Sequence, residues 1–373
     1  MIKAGITGQA GFIGTHLFNA MGLKKDSIIR IPFEDEYFAN EDLLRRFVAD
    51  CDVIVHLAAM NRHNDHDVIY STNISLVQKL IAAIEAQHLR PHILFSSSTQ
   101  EERDNLYGLS KREGRMLFES WAQRNGARFT GLVIPNVFGP FGNPYYNSVV
   151  ATFCHQLTHD EIPKIDTDGQ MKLIYINELV EVIIGKILNP GEQQVVKFDV
   201  SHRHESKVSE ILNILEGFKA EYYEKGKIPD LNSALKLALF NTFRCYMPEE
   251  KFPFPLKLNS DYRGIFVEVI RATVPGQSSY STTGPGITRG NHFHTRKVER
   301  FAVIRGKARI RLRRVGTTEI IGYDLNGDVP SFVDMPVWHT HNITNTGEGE
   351  LLTLFWINEP YDPSDPDTYF EPV

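Results

Sequence analysis

Gly5-Ile6-Thr7-Gly8-Gln9-Ala10-Gly11-Phe12-Ile13-Gly14 follows a short apolar run at 2–6 and leads into a helical pattern over 14–21. Glycines at 8, 11 and 14 in that strand-to-helix setting fit a dinucleotide loop. Gly8 permits a tight turn, Gly11 lets a pyrophosphate approach the backbone, and Gly14 allows close helix–sheet packing. The amides that open the helix then face the phosphates. Working outward, apolar runs at 27–31, 53–57, 92–95 and 130–134 alternate with helix-like stretches at 74–86 and 111–125. Such alternation predicts an α/β Rossmann-like, doubly wound parallel sheet covered on both faces.

At 373 residues the chain exceeds one compact core, so two domains are expected. Net charge is −6, which offers no basic surface for nucleic acid or an anionic membrane. No apolar run approaches the roughly 20 residues that span a bilayer. The N-terminus opens directly on a strand with no leader pattern, so a cytoplasmic location is expected. Cys51, Cys154 and Cys245 stand far apart without a CxxC spacing, as reduced thiols do. After 240–255 the character changes at a Pro-rich junction. Beyond it, alternating segments at 266–270, 300–304, 308–312 and 351–356 read as an antiparallel barrel or sandwich. The expected domains are 1–245 and 246–373, with the tail 359–373 extended on the surface.

In the first domain, Leu57-Ala58-Ala59 ends one strand, Ser96-Ser97-Ser98 ends the next, and Tyr107-Gly108-Leu109-Ser110-Lys111 opens a helix. Tyrosine and lysine four apart share a helix face. A phenol with an ordinary pKa near 10 needs a neighbouring cation to move protons at neutral pH, and Lys111 supplies one while reaching the nicotinamide ribose. A serine hydroxyl can bond the substrate oxygen as its charge develops. With Pro135-Asn136-Val137-Phe138-Gly139-Pro140, these elements resemble an extended short-chain dehydrogenase/reductase acting on nucleotide sugars. The resemblance implies Ser98 as the catalytic serine, with Ser97 second, beside Tyr107 and Lys111. It implies cofactor contacts at Thr7, Gly8, Gly11, Phe12, Ile13, Gly14, Leu57, Ala58, Ala59, Asn73, Tyr107, Lys111 and Asn136. No acidic residue ends the second strand. Arg30 stands there, and an arginine at that place suggests a 2′-phosphate and hence NADP(H).

The second domain holds Gly286-Ile287-Thr288-Arg289-Gly290-Asn291-His292-Phe293-His294, then Glu299 and Gly306, and later Pro336-Val337-Trp338-His339-Thr340-His341 with Asn345. Two histidines two apart project to one side of a strand. A carboxylate and a distant third imidazole complete an N/O set for a divalent metal. The spacings G-x5-HxH-x4-E-x6-G and P-x-G-x2-H-x3-N, with Trp338 replacing the second motif's glycine, resemble the two-part cupin signature. That resemblance nominates His292, His294, Glu299 and His341 as ligands, zinc first, with His339 the rival of His341.

A reductase followed by a metal cupin resembles bifunctional nucleotide-sugar enzymes of capsular-polysaccharide synthesis over essentially the whole chain. The implied substrate is a UDP-linked 2-acetamido-2,6-dideoxy-4-hexulose. The cupin would epimerise C3 and the reductase would reduce the C4 ketone, giving UDP-N-acetyl-6-deoxy-L-talosamine. A C3 proton is acidic only while C4 is a ketone, so epimerisation precedes reduction. His339, Tyr280 and Tyr323 are candidates for the C3 base. A homodimer is expected, since cupin faces often pair. The alternatives are a reductase with a non-catalytic cupin, an NADP-binding regulator and a metal oxygenase.

Overall fold

The computed structural model describes residues 1–262 and 264–373. In chain order the elements are β1 (Ile2–Thr7), α1 (Phe12–Gly22), β2 (Ile28–Ile31), α2 (Glu41–Ala49), β3 (Val53–His56), α3 (His66–Ala86), β4 (His92–Ser98), α4 (Leu106–Asn125), β5 (Phe129–Ile134) and β6 (Asn136–Phe138). Next come α5 (Val149–Thr158), β7 (Gln170–Tyr175), α6 (Ile176–Leu188), β8 (Val195–Asp199), β9 (His204–Lys207), α7 (Val208–Phe218) and α8 (Ala234–Arg244). The remainder is β10 (Phe254–Pro255), β11 (Leu258–Asp261), β12 (Gly264–Val267), β13 (Gln277–Thr283), β14 (Thr288–Phe293), β15 (Glu299–Arg305) and β16 (Lys307–Arg314). It closes with β17 (Ile320–Asn326), β18 (Ser331–Met335), β19 (His339–Asn345), β20 (Leu351–Ile357) and β21 (Tyr369–Phe370).

The chain divides into two compact units: 1–149 with 169–207, and 150–168 with 208–373. In the first unit, six strands form one sheet in the order β2-β1-β3-β4-β5-β8, every neighbouring pair parallel. The expected Rossmann-like sheet is present. The strands are buried on both faces, so their apolar runs are near-continuous. Phe33, Phe47, Leu80, Ile84, Phe95, Phe118 and Trp121 form the core between the sheet and α2, α3 and α4. Chain order reverses on either side of β1, which places a crevice beyond the ends of β1 and β3. The glycine loop and the 57–59 segment emerge there.

The second unit holds two five-stranded antiparallel sheets, β10-β18-β15-β20-β13 and β17-β16-β19-β14-β21, and the hairpin β11–β12. Phe301, Val303, Ile310, Leu312, Tyr323, Leu325, Val333, Met335, Ile343 and Leu351 form one core cluster drawn from both sheets. Two expectations change here. The compact division is not at 245/246, because α5, α7 and α8 belong with the β-rich unit. Their polar groups satisfy its backbone: Asn241 Nδ2 donates to the Arg296 carbonyl (2.8 Å) and Arg244 to the Met335 carbonyl (2.9 Å). Nor is the tail wholly extended on the surface. Its β21 pairs with β14, and Asp367 is 1 % exposed.

A charged pair lies inside this unit. The Arg300 guanidinium donates to both oxygens of Asp334 at 2.8 and 2.9 Å, and Tyr222 donates its hydroxyl to Asp334 at 2.8 Å. Arg300 also donates to the Gly226 carbonyl and stacks on Phe332. Removing one partner of a buried pair strands the other charge, which costs about 3–5 kcal/mol. Asp334→Ala should therefore destabilise this unit by about that amount in urea unfolding. A loss below about 1 kcal/mol would show that the pair is solvated.

Candidate functional site

The first cluster surrounds the glycine loop. Gly8 has φ +72°, and a Cβ there would lie 2.8 Å from the Ala58 nitrogen; a Cβ on Gly14 would lie 2.2 Å from the Gly8 carbonyl oxygen. Side chains at either place would collide with the backbone of the 57–58 segment or of the loop itself, so only glycine lets the loop close this tightly on its neighbours. Helix α1 starts at Gly11 with no side-chain cap and no acidic residue in its first turn, which leaves its opening amides to an anion. Thr7 Oγ1 bonds the buried His56 Nδ1 at 2.7 Å, and the Leu57 amide donates to the Thr7 carbonyl. Burial, with Lys111 adding, pushes the His56 pKa down to about 3, so this ring is a neutral strut. The arrangement fits a dinucleotide.

Asn73 reaches this loop from α3. Its side chain accepts from the Met60 amide (2.7 Å) and donates to Ser110 Oγ (3.0 Å), tying the segment after β3 to α4. Phe12 and Ile13 lie partly buried in the first turn of α1, and Asn136 is exposed on β6 and donates to the Lys172 carbonyl. Arg30, nominated for a 2′-phosphate, donates its guanidinium to the Phe18 carbonyl (3.1 Å) and stacks on the Phe18 ring at the flank of α1.

The three serines divide by the pleat. Ser97, buried, donates to Glu101 Oε2 at 2.7 Å. Ser96 and Ser98 share the opposite face, and Lys111 Nζ donates to the Ser96 carbonyl at 2.9 Å on that side. Ser98 Oγ accepts the Gln100 amide, which leaves its own hydroxyl proton to donate. Tyr107, in the first turn of α4, stands only nine positions after Ser98. Gly108 makes the short connection feasible, since a Cβ there would lie 2.0 Å from the Gln100 carbonyl. Lys111 Nζ lies 5.8 Å from the centre of the Tyr107 ring. Burial, with Tyr146 adding, pushes the Tyr107 phenol up to about 12; burial pulls Lys111 down to about 8. At neutral pH the phenol is protonated, the form a proton donor needs, and Lys111 keeps most of its charge.

Sequence reasoning passed over Glu101. This buried carboxylate receives Ser97, Arg115 Nε (3.0 Å) and Lys197 Nζ (2.8 Å), and so pins the single turn Thr99–Glu102 that follows Ser98. An acidic residue in a short polar connection carries no periodic signal that would announce its burial.

The second cluster gathers His292, His294, Glu299 and His341, with one ligand atom from each all within 4.8 Å of one another. β14 and β19 pair with His292 opposite His341, next to an irregularity between Gly290 and His292; Glu299 opens β15. His294 Nδ1 donates to the Asp367 carbonyl (2.5 Å) and His341 Nδ1 to the His339 carbonyl (3.1 Å). Each ring therefore presents an unprotonated Nε2 when neutral. Both Nε2 atoms lie 3.2 Å from Glu299 Oε2. Lone pairs facing a carboxylate need a cation between them, either protons or a metal, and three imidazoles with one carboxylate suit a divalent metal. Burial raises the Glu299 pKa, but hydrogen bonds from His294 and His341 outweigh it and hold the carboxyl well below its usual range. Burial lowers His294, yet Glu299 carries it above its ordinary value. For His292, burial and then His341 bring the pKa down to about 4.

His339 is not in this cluster; its Nδ1 faces the Val337 carbonyl. Gly286 and Gly306 have φ of +72° and +90°, and Trp338, standing in the glycine position, has φ +59°. The left-handed backbone explains that glycine, and Trp338 offsets its strain by stacking on Phe293. Of the other base candidates, Tyr323 donates its hydroxyl to the Glu249 carbonyl inside the core. Tyr280 is 75 % exposed and pairs with Leu354, on the face opposite Phe301 and Phe355.

Comparisons with known proteins cover both units. Residues 4–196 match the NAD dependent epimerase/dehydratase family, and 259–369 match the polysaccharide biosynthesis C-terminal domain. The UDP-2-acetamido-2,6-beta-L-arabino-hexul-4-ose reductase of Pseudomonas aeruginosa is 32 % identical over 99 % of this chain and 98 % of its own length. Among solved structures, the capsular polysaccharide assembling protein CapF of Staphylococcus aureus covers 100 % of both chains at 34 % identity and TM-score 0.61. A structure of CapF with the inhibitor 3-isopropenyl-tropolone covers both chains equally, at 31 % identity and TM-score 0.56.

Deprotonation of Lys111 near pH 8 gives a direct check on the first cluster. Affinity of the free protein for a reduced nicotinamide dinucleotide should fall about tenfold between pH 7 and pH 9.5, as the charge is lost, and Lys111→Met should bind weakly with no such fall. A pH-independent wild-type affinity would remove Lys111 from the cofactor site.

Proposed function

Because this chain belongs to the NAD dependent epimerase/dehydratase family, we propose that it is a two-site nucleotide-sugar enzyme. The substrate is a UDP-2-acetamido-2,6-dideoxy-4-hexulose. The β-rich unit, read as a cupin barrel, inverts C3, and the Rossmann-like unit then reduces the C4 ketone with NADPH. The product is UDP-N-acetyl-6-deoxy-L-talosamine, on the route to UDP-N-acetyl-L-fucosamine for capsular polysaccharide. The two activities are assigned to the compact units 1–149 with 169–207 and 150–168 with 208–373, in place of the expected 1–245 and 246–373. Their site residues fall in 7–136 and 292–341.

One observation carries the reading: a protonated Tyr107 close to Lys111, whose ammonium bonds the Ser96 carbonyl in the strand that ends at Ser98, in the same chain as a buried His292/His294/Glu299/His341 cluster. The full-length likeness to a 4-hexulose reductase supports the substrate class. When bound, the nicotinamide supplies a hydride for C4. Ser98 holds the ketone oxygen by donating its hydroxyl proton, Tyr107 delivers a proton to that oxygen, and Lys111 anchors the ribose. NADP(H) rather than NAD(H) is in keeping with a β2 that has no carboxylate.

In the β-rich unit the proposed ligands are His292, His294, Glu299 and His341. A divalent metal there, zinc by preference, supplies positive charge that favours the enolate formed when C3 loses its proton. The tropolone inhibitor of CapF is in keeping with this, since its adjacent oxygens chelate divalent cations. Of the base candidates, His339 shares a strand face with His341. Burial holds its pKa down at about 4, so the ring is neutral but only weakly basic, and binding of substrate would have to raise its basicity for it to take the C3 proton. The proposal includes a cytoplasmic homodimer, with the exposed apolar hairpin β11–β12 (Leu258, Ile265, Phe266) as the surface to test.

The relative's name records reduction alone, which favours a second reading in which the barrel is non-catalytic. Both readings are tested by supplying the 4-keto sugar nucleotide in deuterated water. Tyr107→Phe should lose NADPH oxidation by about 10²–10⁴-fold yet still exchange deuterium into C3. Retained NADPH oxidation would refute the reductase roles. Absence of C3 exchange in the wild type would select the second reading.

A further inference from the structure

We propose that Asp367 is the positioning residue of the His292/His294/Glu299/His341 centre, and that the C-terminal segment around it is a latch whose docking and metal binding favour each other. This inference rests on the metal reading above. Asp367 has φ +40° and is buried, an unusual state for a carboxylate unless it is fully bonded. Every oxygen of the residue is engaged. Its Oδ1 accepts the Thr295 amide (3.0 Å) and hydroxyl (2.7 Å). Its Oδ2 accepts the Arg296 (3.0 Å) and Lys297 (3.1 Å) amides. Its backbone carbonyl accepts His294 Nδ1.

These bonds act on the centre in two ways. The carbonyl fixes the tautomer and plane of His294, so that Nε2 looks at Glu299. The carboxylate folds residues 295–297 into the turn that sets the separation of His294 from Glu299. Neighbouring contacts hold the segment in place. Lys297 Nζ donates to the Pro366 carbonyl (2.8 Å), and Arg296 forks onto Asp365. Phe370 pairs with His292 and Tyr369 with Phe293. The Glu371 amide donates to the Asn291 carbonyl, and Thr340, next to His341, donates to the Glu371 carbonyl. The segment thus touches β14 and β19, which bear His292 and His341, and His294 directly.

Linkage makes the coupling reciprocal: if the docked tail improves ligand geometry, a bound metal must stabilise the docked tail by the same factor. A residue that merely caps a turn would show no such dependence. The test uses the full-length chain stripped by chelator and titrated with Co²⁺, read by its visible absorption. Asp367→Asn keeps the size but sets an N–H₂ against the amides of Arg296 and Lys297, and it should weaken Co²⁺ binding about 10–100-fold with native far-UV circular dichroism. In the unmutated protein, Co²⁺ should slow amide hydrogen exchange across 366–371.

Equal Co²⁺ affinity in Asp367→Asn, or tail exchange indifferent to Co²⁺, overturns the inference while leaving the metal reading intact. Should the variant misfold, the exchange measurement on the unmutated chain decides alone. If the wild type takes up no more Co²⁺ than His294→Ala, the metal reading falls and the latch falls with it.

Discussion

Two imidazole Nε2 atoms, each on a ring whose Nδ1 proton is committed to a backbone carbonyl and both 3.2 Å from one carboxylate oxygen, set the constraint around which the β-rich unit is arranged. Acceptors at that spacing repel in a site with little water, and only positive charge between them makes the arrangement stable. The constraint explains features otherwise unrelated: carbonyls of His339 and Asp367 waiting for Nδ1 protons, the pairing of His292 with His341, and a tail returning to β14. Each fixes a ring independently of any ion, the preorganisation that the proposed metal site would draw on for affinity.

Burial sets protonation in the other unit as well, with opposite consequences for two neighbours. It discourages the Tyr107 phenolate and equally discourages the Lys111 ammonium. The outcome is a protonated acid beside a lysine whose charge is easily lost. A carbonyl reduction requires the first, and an anionic cofactor stabilises the charge on the second. Neither state follows from the YxxxK spacing; both follow from how deeply α4 packs against β4.

Much of the fold was legible because its signals are local. The apolar runs that became β1, β3, β4 and β5 and the glycines of the first loop needed only period and backbone sterics. The His292/His294/Glu299/His341 grouping was nominated by the resemblance of two spaced motifs to a cupin signature, and the four side chains do converge. What escaped was long-range. Arg30 occupies the expected place in β2, but the open side of α1 at Gly22 takes its guanidinium. Asp367 lies in a Pro-punctuated tail, and nothing in that tail foretells four donors waiting at 295–297. The 245/246 junction is real in composition, yet the turn after α7 carries Tyr222, and α8 carries Asn241 and Arg244, to partners on or next to the strands of the β-rich unit. Trp338 is the instructive exception: the glycine it replaces marked a left-handed backbone, which the residue keeps.

The direct test of this account is X-ray absorption at the metal edge of the purified, metal-reconstituted chain. The account predicts one divalent ion per chain, bound by three imidazole nitrogens and carboxylate oxygen at roughly 2.0–2.2 Å. An ion with sulfur in its shell, an all-oxygen shell, or a chain that retains no metal would contradict it.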